Sequence, residues 1–143
     1  MSGSKTTTSA WNTAALYGCV AAGGVLGSLS RYLASVLILS VYGFPFATLF
    51  VNVTGSFIIG FYSTLSGPDG RLFSSARQRQ FVMTGFCGGY TTFSTFSLET
   101  VRLLQAGLGR TALINIALSV VTWLLSVWLG HALASRFNRL KGT

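Results

Sequence analysis

Residues 88–97 read GGYTTFSTFS: two glycines, five serine or threonine residues and two phenylalanines, with no charge among them. The segment lies inside an apolar stretch from about Phe81 to Leu104, where a membrane helix would be expected to run uninterrupted. Gly88 and Gly89 are poor helix formers, and Thr91 and Thr92 only moderate ones. A break here would free backbone carbonyls and amides. In a membrane, freed backbone is tolerated only where it is buried in protein or lines a cavity. Broken helices of this kind form ion sites in transporters. Free carbonyls suit a cation such as sodium, whereas hydroxyl donors and helix N-termini suit an anion.

The second half of the segment sharpens the choice. Phe93 and Phe96, three positions apart, share one helix face, with Ser94, Thr95 and Thr92 on neighbouring faces. An aromatic ring has a negative face and a positive edge, so two rings presented edge-on can stabilise a small anion without a full positive charge. Hydroxyls beside them supply hydrogen bonds. The competing reading is structural: Ser and Thr in membrane helices bond back to the i−4 carbonyl, and Phe faces lipid. Five hydroxyls in seven residues directly after Gly-Gly weigh against the structural reading without removing it.

The rest of the chain places the segment in a bilayer. Of 143 residues, 50% are hydrophobic and 8% are charged, against about 25% charged in soluble domains; mean hydropathy is +0.60. A bilayer core of about 30 Å needs about 20 helical residues. Four stretches qualify: about Trp11 to Tyr42, Ala47 to Leu65, Phe81 to Leu104 and Thr111 to Ala134. Short connections with Gly, Pro and charge separate them: YGFPF, SGPDGRLFSSARQRQ and QAGLGR. Residues 1–10 read as a disordered N-terminal tail, 11–136 as a four-helix transmembrane domain and 137–143 as a basic C-terminal tail. A cleaved signal peptide is not expected, because Lys5 alone would form its basic region and the apolar stretch behind it is too long.

Small residues recur four apart at Gly23 and Gly27, Ser56 and Gly60, and Gly85 and Gly89, which predicts close helix packing. Asn52 lies within the second span, where its amide either glues helices or lines a path. Asn115 and Ser119 form a short polar stripe on the fourth. Arg31 in the first span either snorkels to the interface or faces a water-filled vestibule that attracts anions. The NVT sequon at 52–54 falls inside a span, where no transferase reaches.

Several functions are excluded. The net charge of +8 comes from residues that punctuate apolar stretches, not from one basic face, so nucleic acid is not the partner. With one histidine, His131, and two acidic residues, Asp69 and Glu99, at different depths, paired carboxylates cannot be assembled, and a Ser–His–Asp triad would have to use His131 and Asp69. His131 reads as an interfacial side chain. Cys19 and Cys87, far apart in apolar segments, suggest neither zinc nor a redox pair. The chain is therefore not read as an enzyme, and transport or packing remains. Spans two and four return to the N-terminal side, which collects Lys5, Arg71, Arg77, Arg79, Arg136, Arg139 and Lys141. The other side has Arg110 and, by the more generous boundary, Arg102. The positive-inside rule puts both termini in the cytoplasm.

Three stretches together, GGVLGSLSRY, ATLFVNVTGSFIIGF and TGFCGGYTTFSTFSLET, resemble the small bacterial fluoride channel family (Fluc, also called CrcB). The resemblance covers all four spans, and the third stretch is its most specific part. It implies an all-α membrane protein of four transmembrane helices with a broken third helix, paired in an antiparallel, dual-topology dimer that holds two fluoride pores. Phe93 and Phe96 match the pore phenylalanines that meet fluoride edge-on. Asn52 matches the asparagine beside the anion path, and Ser94, Thr95 and Ser97 match a track of hydroxyls. Ser119 matches a polar position of the fourth helix. Gly88 and Thr91 match residues whose main-chain carbonyls, with those of the second subunit, hold a structural sodium ion (Na+) at the dimer interface. Glu99 and Arg31 match charged positions along the path and near a vestibule.

One turn after Ser119 this chain departs from the family, with Trp123 where many members have a small or hydroxyl residue. The basic bias also strains the antiparallel homodimer, since balanced charge favours both insertions; an oppositely oriented homologue is the other partner to consider. The implied function is passive, selective conduction of fluoride out across the bacterial inner (plasma) membrane, relieving fluoride toxicity. The alternative is a small proton-coupled multidrug exporter of four spans, for which Glu99 is the only candidate carboxylate within a span. A packing subunit with no transport of its own is the third reading.

Overall fold

A computed structural model describes residues 10–38, 44–68 and 70–139. Most of the expected N-terminal tail, the end of the first expected span at 39–42, Asp69 and residues 140–143 of the expected C-terminal tail lie outside the described residues, as do Lys5 and Lys141 of the charge count. Among the described residues the chain is all helical and contains no strand. Helix α1 is Ala10–Leu37, α2 is Phe46–Leu65, and α3 is the single turn Ala76–Arg79. A π-helical stretch, Gln80–Cys87, continues α3 and leads into α4, Gly88–Tyr90. Helices α5, Phe93–Gln105, and α6, Gly109–Arg139, complete the chain.

Three of these, α1 over Trp11–Leu37, α2 and α6, are long and apolar enough to cross a membrane. Their outward faces carry exposed Leu29, Leu33, Leu113, Leu124 and Leu129, a surface that suits lipid or another helix and not water. The chain is thus an all-helical membrane protein with four long helical paths, the fourth being the pieces between 76 and 105.

The helices pack in two pairs, α1 along the 80–90 run and α2 along α6. The first pair is close because glycine meets backbone. A Cβ on Gly23 would strike the Phe81 carbonyl, one on Gly27 the Phe86 carbonyl, and one on Gly89 the Gly24 carbonyl. In the second pair, Gly60 faces the Val127 carbonyl and Gly130 the Phe57 carbonyl. Without a hydrophobic force between helices in lipid, this close approach supplies the van der Waals energy of association. Gly27→Leu is therefore expected to force α1 off its partner, with an overpacking cost of about 1–3 kcal/mol or more. The purified variant should show a lowered thermal midpoint or polydisperse elution, whereas Gly18→Ala, whose Cβ meets nothing within 4 Å, should behave as wild type.

Gly88 and Gly89, which weaken the helix on propensity, are both helical here. Gly89 has a packing duty against Gly24, and neighbouring helices override its propensity. The chain leaves helical geometry two residues later: Thr91 and Thr92 are extended, with φ/ψ of −79°/159° and −152°/121°. Thr92 then caps α5, its hydroxyl accepting from Thr95 N at 3.1 Å. The turn from α5 to α6 closes on Gly107 at φ 75°. Gly107 N donates to Leu104 O and Leu108 N to Leu103 O, a Schellman motif that only glycine fits easily.

At one end of the molecule the 66–75 loop is tied to both α2 and α6. Asn138 accepts from Arg71 N at 3.1 Å and donates to Thr64 O at 3.0 Å. The Thr64 hydroxyl shares a 2.8 Å bond with Nδ1 of the exposed His131, and Arg79 donates to the Ser66 carbonyl. Helix α6 runs through Arg139, beyond the boundary of 136 drawn from sequence, and Asn138 ties its last turn to α2 and to the loop.

Candidate functional site

The extended pair Thr91–Thr92 is the centre of the site. Leaving helical geometry strips backbone groups of their partners, and α2 supplies replacements. Asn52, buried on α2, donates from Nδ2 to Thr92 O at 2.9 Å and accepts from Thr92 N at Oδ1 at 2.7 Å. One amide thus satisfies both backbone groups of one extended residue, and its second N–H is left for another acceptor. The diverted Thr92 N–H would otherwise serve the Gly88 carbonyl. The Thr95 N–H, taken by the Thr92 hydroxyl, would otherwise serve the Thr91 carbonyl. Asn52 therefore acts as glue at the place where the resemblance puts an anion path.

Thr92 also separates two hollows. The first, of about 270 Å³, is lined by Asn52, Gly55, Ser56, Thr91, Phe93 and Trp123 among others. The second, of about 260 Å³, is lined by Arg31, Tyr32, Ser35, Thr48 and Thr95 among others. Arg31 is half-buried at this second hollow, where hydroxyls of Ser35, Thr48 and Thr95 join it on the lining. Thr95 contributes a hydroxyl that accepts from Thr92 Oγ1 at 2.9 Å and keeps its own proton for a further acceptor.

The two phenylalanines follow at the start of α5. Their ring centroids lie 5.6 Å apart at an interplanar angle of 49°. Phe96 is buried, at 7% exposure, and its ring meets Trp123 of α6 in a T-shaped contact at 5.0 Å. Phe93 is 71% exposed on the surface of the single chain.

The remaining polar residues divide into those that are satisfied locally and those that are not. Ser97 donates to its i−4 carbonyl on Phe93 at 2.9 Å, and Thr100 does the same to Phe96. Ser94 is exposed, within 3.3 Å of the Thr92 hydroxyl. Asn115, 1% exposed, donates to Thr100 Oγ1 at 3.0 Å, and Ser119 is buried one turn further along the same face of α6. Gly88 is exposed, with open space where a side chain would be.

Glu99 accepts from Thr48 at Oε1 at 2.9 Å, while its Oε2 is buried without a partner. Thr48 sits in the first turn of α2, so this carboxylate lies at the positive end of that helix. Sequence reasoning named Glu99 and Asn52 but not Thr48 or Thr92 as their partners. A Thr in a first helical turn, and a Thr three residues before another, were the signals available.

Comparison with known proteins places the chain in a family. The family model described as CrcB-like protein, Camphor Resistance (CrcB), matches residues 18–131. The chain is 65% identical over 132 residues to the fluoride-specific ion channel FluC 1 of Rhodopseudomonas palustris (strain BisB18), covering 91% of this chain and 94% of that protein. It is 63% identical over 131 residues to FluC 1 of Bradyrhizobium diazoefficiens, covering 92% of each. It is 54% identical over 121 residues to FluC of Rhodospirillum rubrum, covering 83% of this chain and 94% of that protein. A family match reaching into every long helix, joined to relatives sharing more than half their residues, carries one conclusion: the chain belongs to the CrcB family.

Proposed function

We propose that this chain forms a passive, fluoride-selective channel that exports fluoride across the bacterial inner membrane. The observation that carries the reading is the aromatic pair Phe93 and Phe96, set directly after two extended residues, the second of which, Thr92, has its backbone held by Asn52. The names of the similar proteins support the substrate. In this reading residues 76–105 cross the membrane as one span broken at Thr91–Thr92. The exposed Phe93 is covered by a second copy in antiparallel orientation, or by an oppositely oriented homologue.

Fluoride is small and strongly hydrated, so passage requires fixed donors in place of water. Arg31 would concentrate anions in its hollow. Thr95, the spare Asn52 N–H, Ser94 and the positive ring edges would then take over solvation in turn, with Ser97, Ser119 and Glu99 further along. A negative-inside potential drives the anion outward by about 2.3 kcal/mol per charge per 100 mV.

A structural sodium ion fits the residues present. The break leaves the carbonyls of residues 88–91 without helical donors, and those of Gly88 and Thr91 are among them, the N–H groups that would serve them going to Asn52 and to the Thr92 hydroxyl. Oxygen ligands of this kind suit a hard cation. Bound there, sodium would supply a fixed positive charge beside those carbonyl oxygens.

Purified protein reconstituted in liposomes loaded with fluoride or chloride tests the reading. A fluoride electrode should record fast, complete fluoride release while chloride is retained. Fluoride retained in the vesicles would refute it. Proton-driven cation efflux that is lost in Glu99→Gln would instead favour an exporter.

A further inference from the structure

Among the described residues, only two buried side-chain polar atoms lack a hydrogen-bond partner: Glu99 Oε2 and Trp123 Nε1. The indole is the less expected of the two. Leaving a buried N–H unpaired costs about 1–3 kcal/mol, and native proteins rarely carry that cost without a ligand, water or ion that relieves it. We propose that the Trp123 indole N–H is a fluoride-binding donor, contributed by α6 to the aromatic station formed by Phe93 and Phe96. The proposal rests on the fluoride-channel reading above and adds a donor that the stretch 88–97 does not contain.

Placement supports it. Trp123 lines the same hollow as Asn52, Thr92 and Phe93, and its ring packs against Phe96 at 5.0 Å and 74°. Trp123 thus shares one hollow with Phe93 and Asn52 while its ring rests against Phe96. Elsewhere on α6 the polar side chains that bond within the chain are accounted for. Asn115 bonds Thr100, Thr122 bonds the Leu118 carbonyl, and Ser126 bonds the Val53 carbonyl at 2.6 Å.

Glu99 Oε2 is not a plausible acceptor. Glu99 adjoins Thr100, the partner of Asn115, and Asn115 precedes Trp123 by two turns, about 12 Å along the helix.

The chemistry of indole narrows the ligand. Nε1 donates and cannot accept, so a cation is excluded and the ligand is an anion or another acceptor. The station already offers positive ring edges, which a small anion uses and a neutral acceptor uses poorly. A hydroxyl at this position could bond back to its own i−4 carbonyl, as Thr122, Thr54 and Ser97 do. An indole N–H cannot reach that carbonyl and stays available. Replacing a hydroxyl by Trp thus gives a donor that the helix backbone cannot claim.

The test uses full-length protein in liposomes and has two independent readouts. In a Trp11→Phe, Trp128→Phe background, Trp123 is the one remaining tryptophan of three. Its emission is expected to change saturably with sodium fluoride and not with sodium chloride. Separately, Trp123→Phe keeps the ring contact with Phe96 and removes the N–H. It should lower fluoride flux by ~10-fold or more, as expected for loss of a hydrogen bond to a charged group. Emission indifferent to fluoride, in a background that still conducts, overturns the proposal even if Trp123→Phe is slow, because the residue then acts by packing alone. Wild-type flux in Trp123→Phe overturns it as well. If Trp123→Phe fails to assemble, the emission titration decides. If wild-type protein releases no fluoride, the channel reading itself fails, and that outcome is distinct from both.

Discussion

Phe96→Ile is expected to reduce fluoride efflux from liposomes to the level of protein-free vesicles. Isoleucine is apolar and branched, so it fills much of the buried site of Phe96, and the cost in stability should be near that of a volume-changing core swap, about 1–3 kcal/mol. It has no positive edge. An anion deep in lipid would then lose a fixed donor it cannot replace with water. Removing one preorganised donor from a water-excluded site typically costs about 10²–10³-fold in rate. Here the loss also opens a gap between Phe93 and Trp123, which the Phe96 ring now joins. Phe93→Ile should have a comparable effect on flux with less effect on stability, because Phe93 is largely exposed in the single chain. Assembly is checked by size exclusion and transport by the fluoride electrode. Undiminished flux in both variants would refute the ring-edge role.

The second large effect belongs to Asn52→Leu. That change orphans both Thr92 N–H and Thr92 C=O, which have no helical alternative at their extended geometry. Each buried orphan costs about 1–3 kcal/mol, so a thermal midpoint lowered by several degrees should accompany loss of flux. Asn52→Asp separates the two contributions. It retains an acceptor for Thr92 N–H but loses both amide donors and places a carboxylate beside the anion hollow. The Asp variant is expected to stay better folded than the Leu variant while conducting as poorly. A conducting, stable Leu variant would show that the clasp is dispensable.

Much of this was legible in the sequence. Low charge and four apolar stretches announced a membrane protein, and the glycines four apart announced close helix packing, while which helices pair came only with the structure. Asn52, Phe93 and Phe96 could be singled out because an amide and paired rings beside hydroxyls are unusual in hydrocarbon. Other features depended on tertiary contacts that one sequence does not display. Gly88 and Gly89 carried the signal for a weakened helix, yet Gly89 is held helical by its contact with Gly24, and the extended residues are the two threonines behind it. The last turn of α6 is tied by Asn138 to Thr64 and Arg71, 74 and 67 residues away. The π-helical stretch from Gln80 to Cys87 has no simple signature in composition. Trp123 could be noticed as a departure, but an indole without an acceptor is visible only once its neighbours are placed.

The joint at Thr92 has a consequence for the style of transport. Its N–H and C=O are both held by Asn52, and its hydroxyl caps the helix that follows. A pump that exposes its cargo first to one side and then to the other needs a pivot, and a residue anchored at three points is a weld. Each rocking cycle would have to rupture those bonds and form them again, whereas an ion sliding past leaves them untouched. In the proposed channel reading the joint belongs to a stationary sieve, in which the ion trades one set of dipoles for the next.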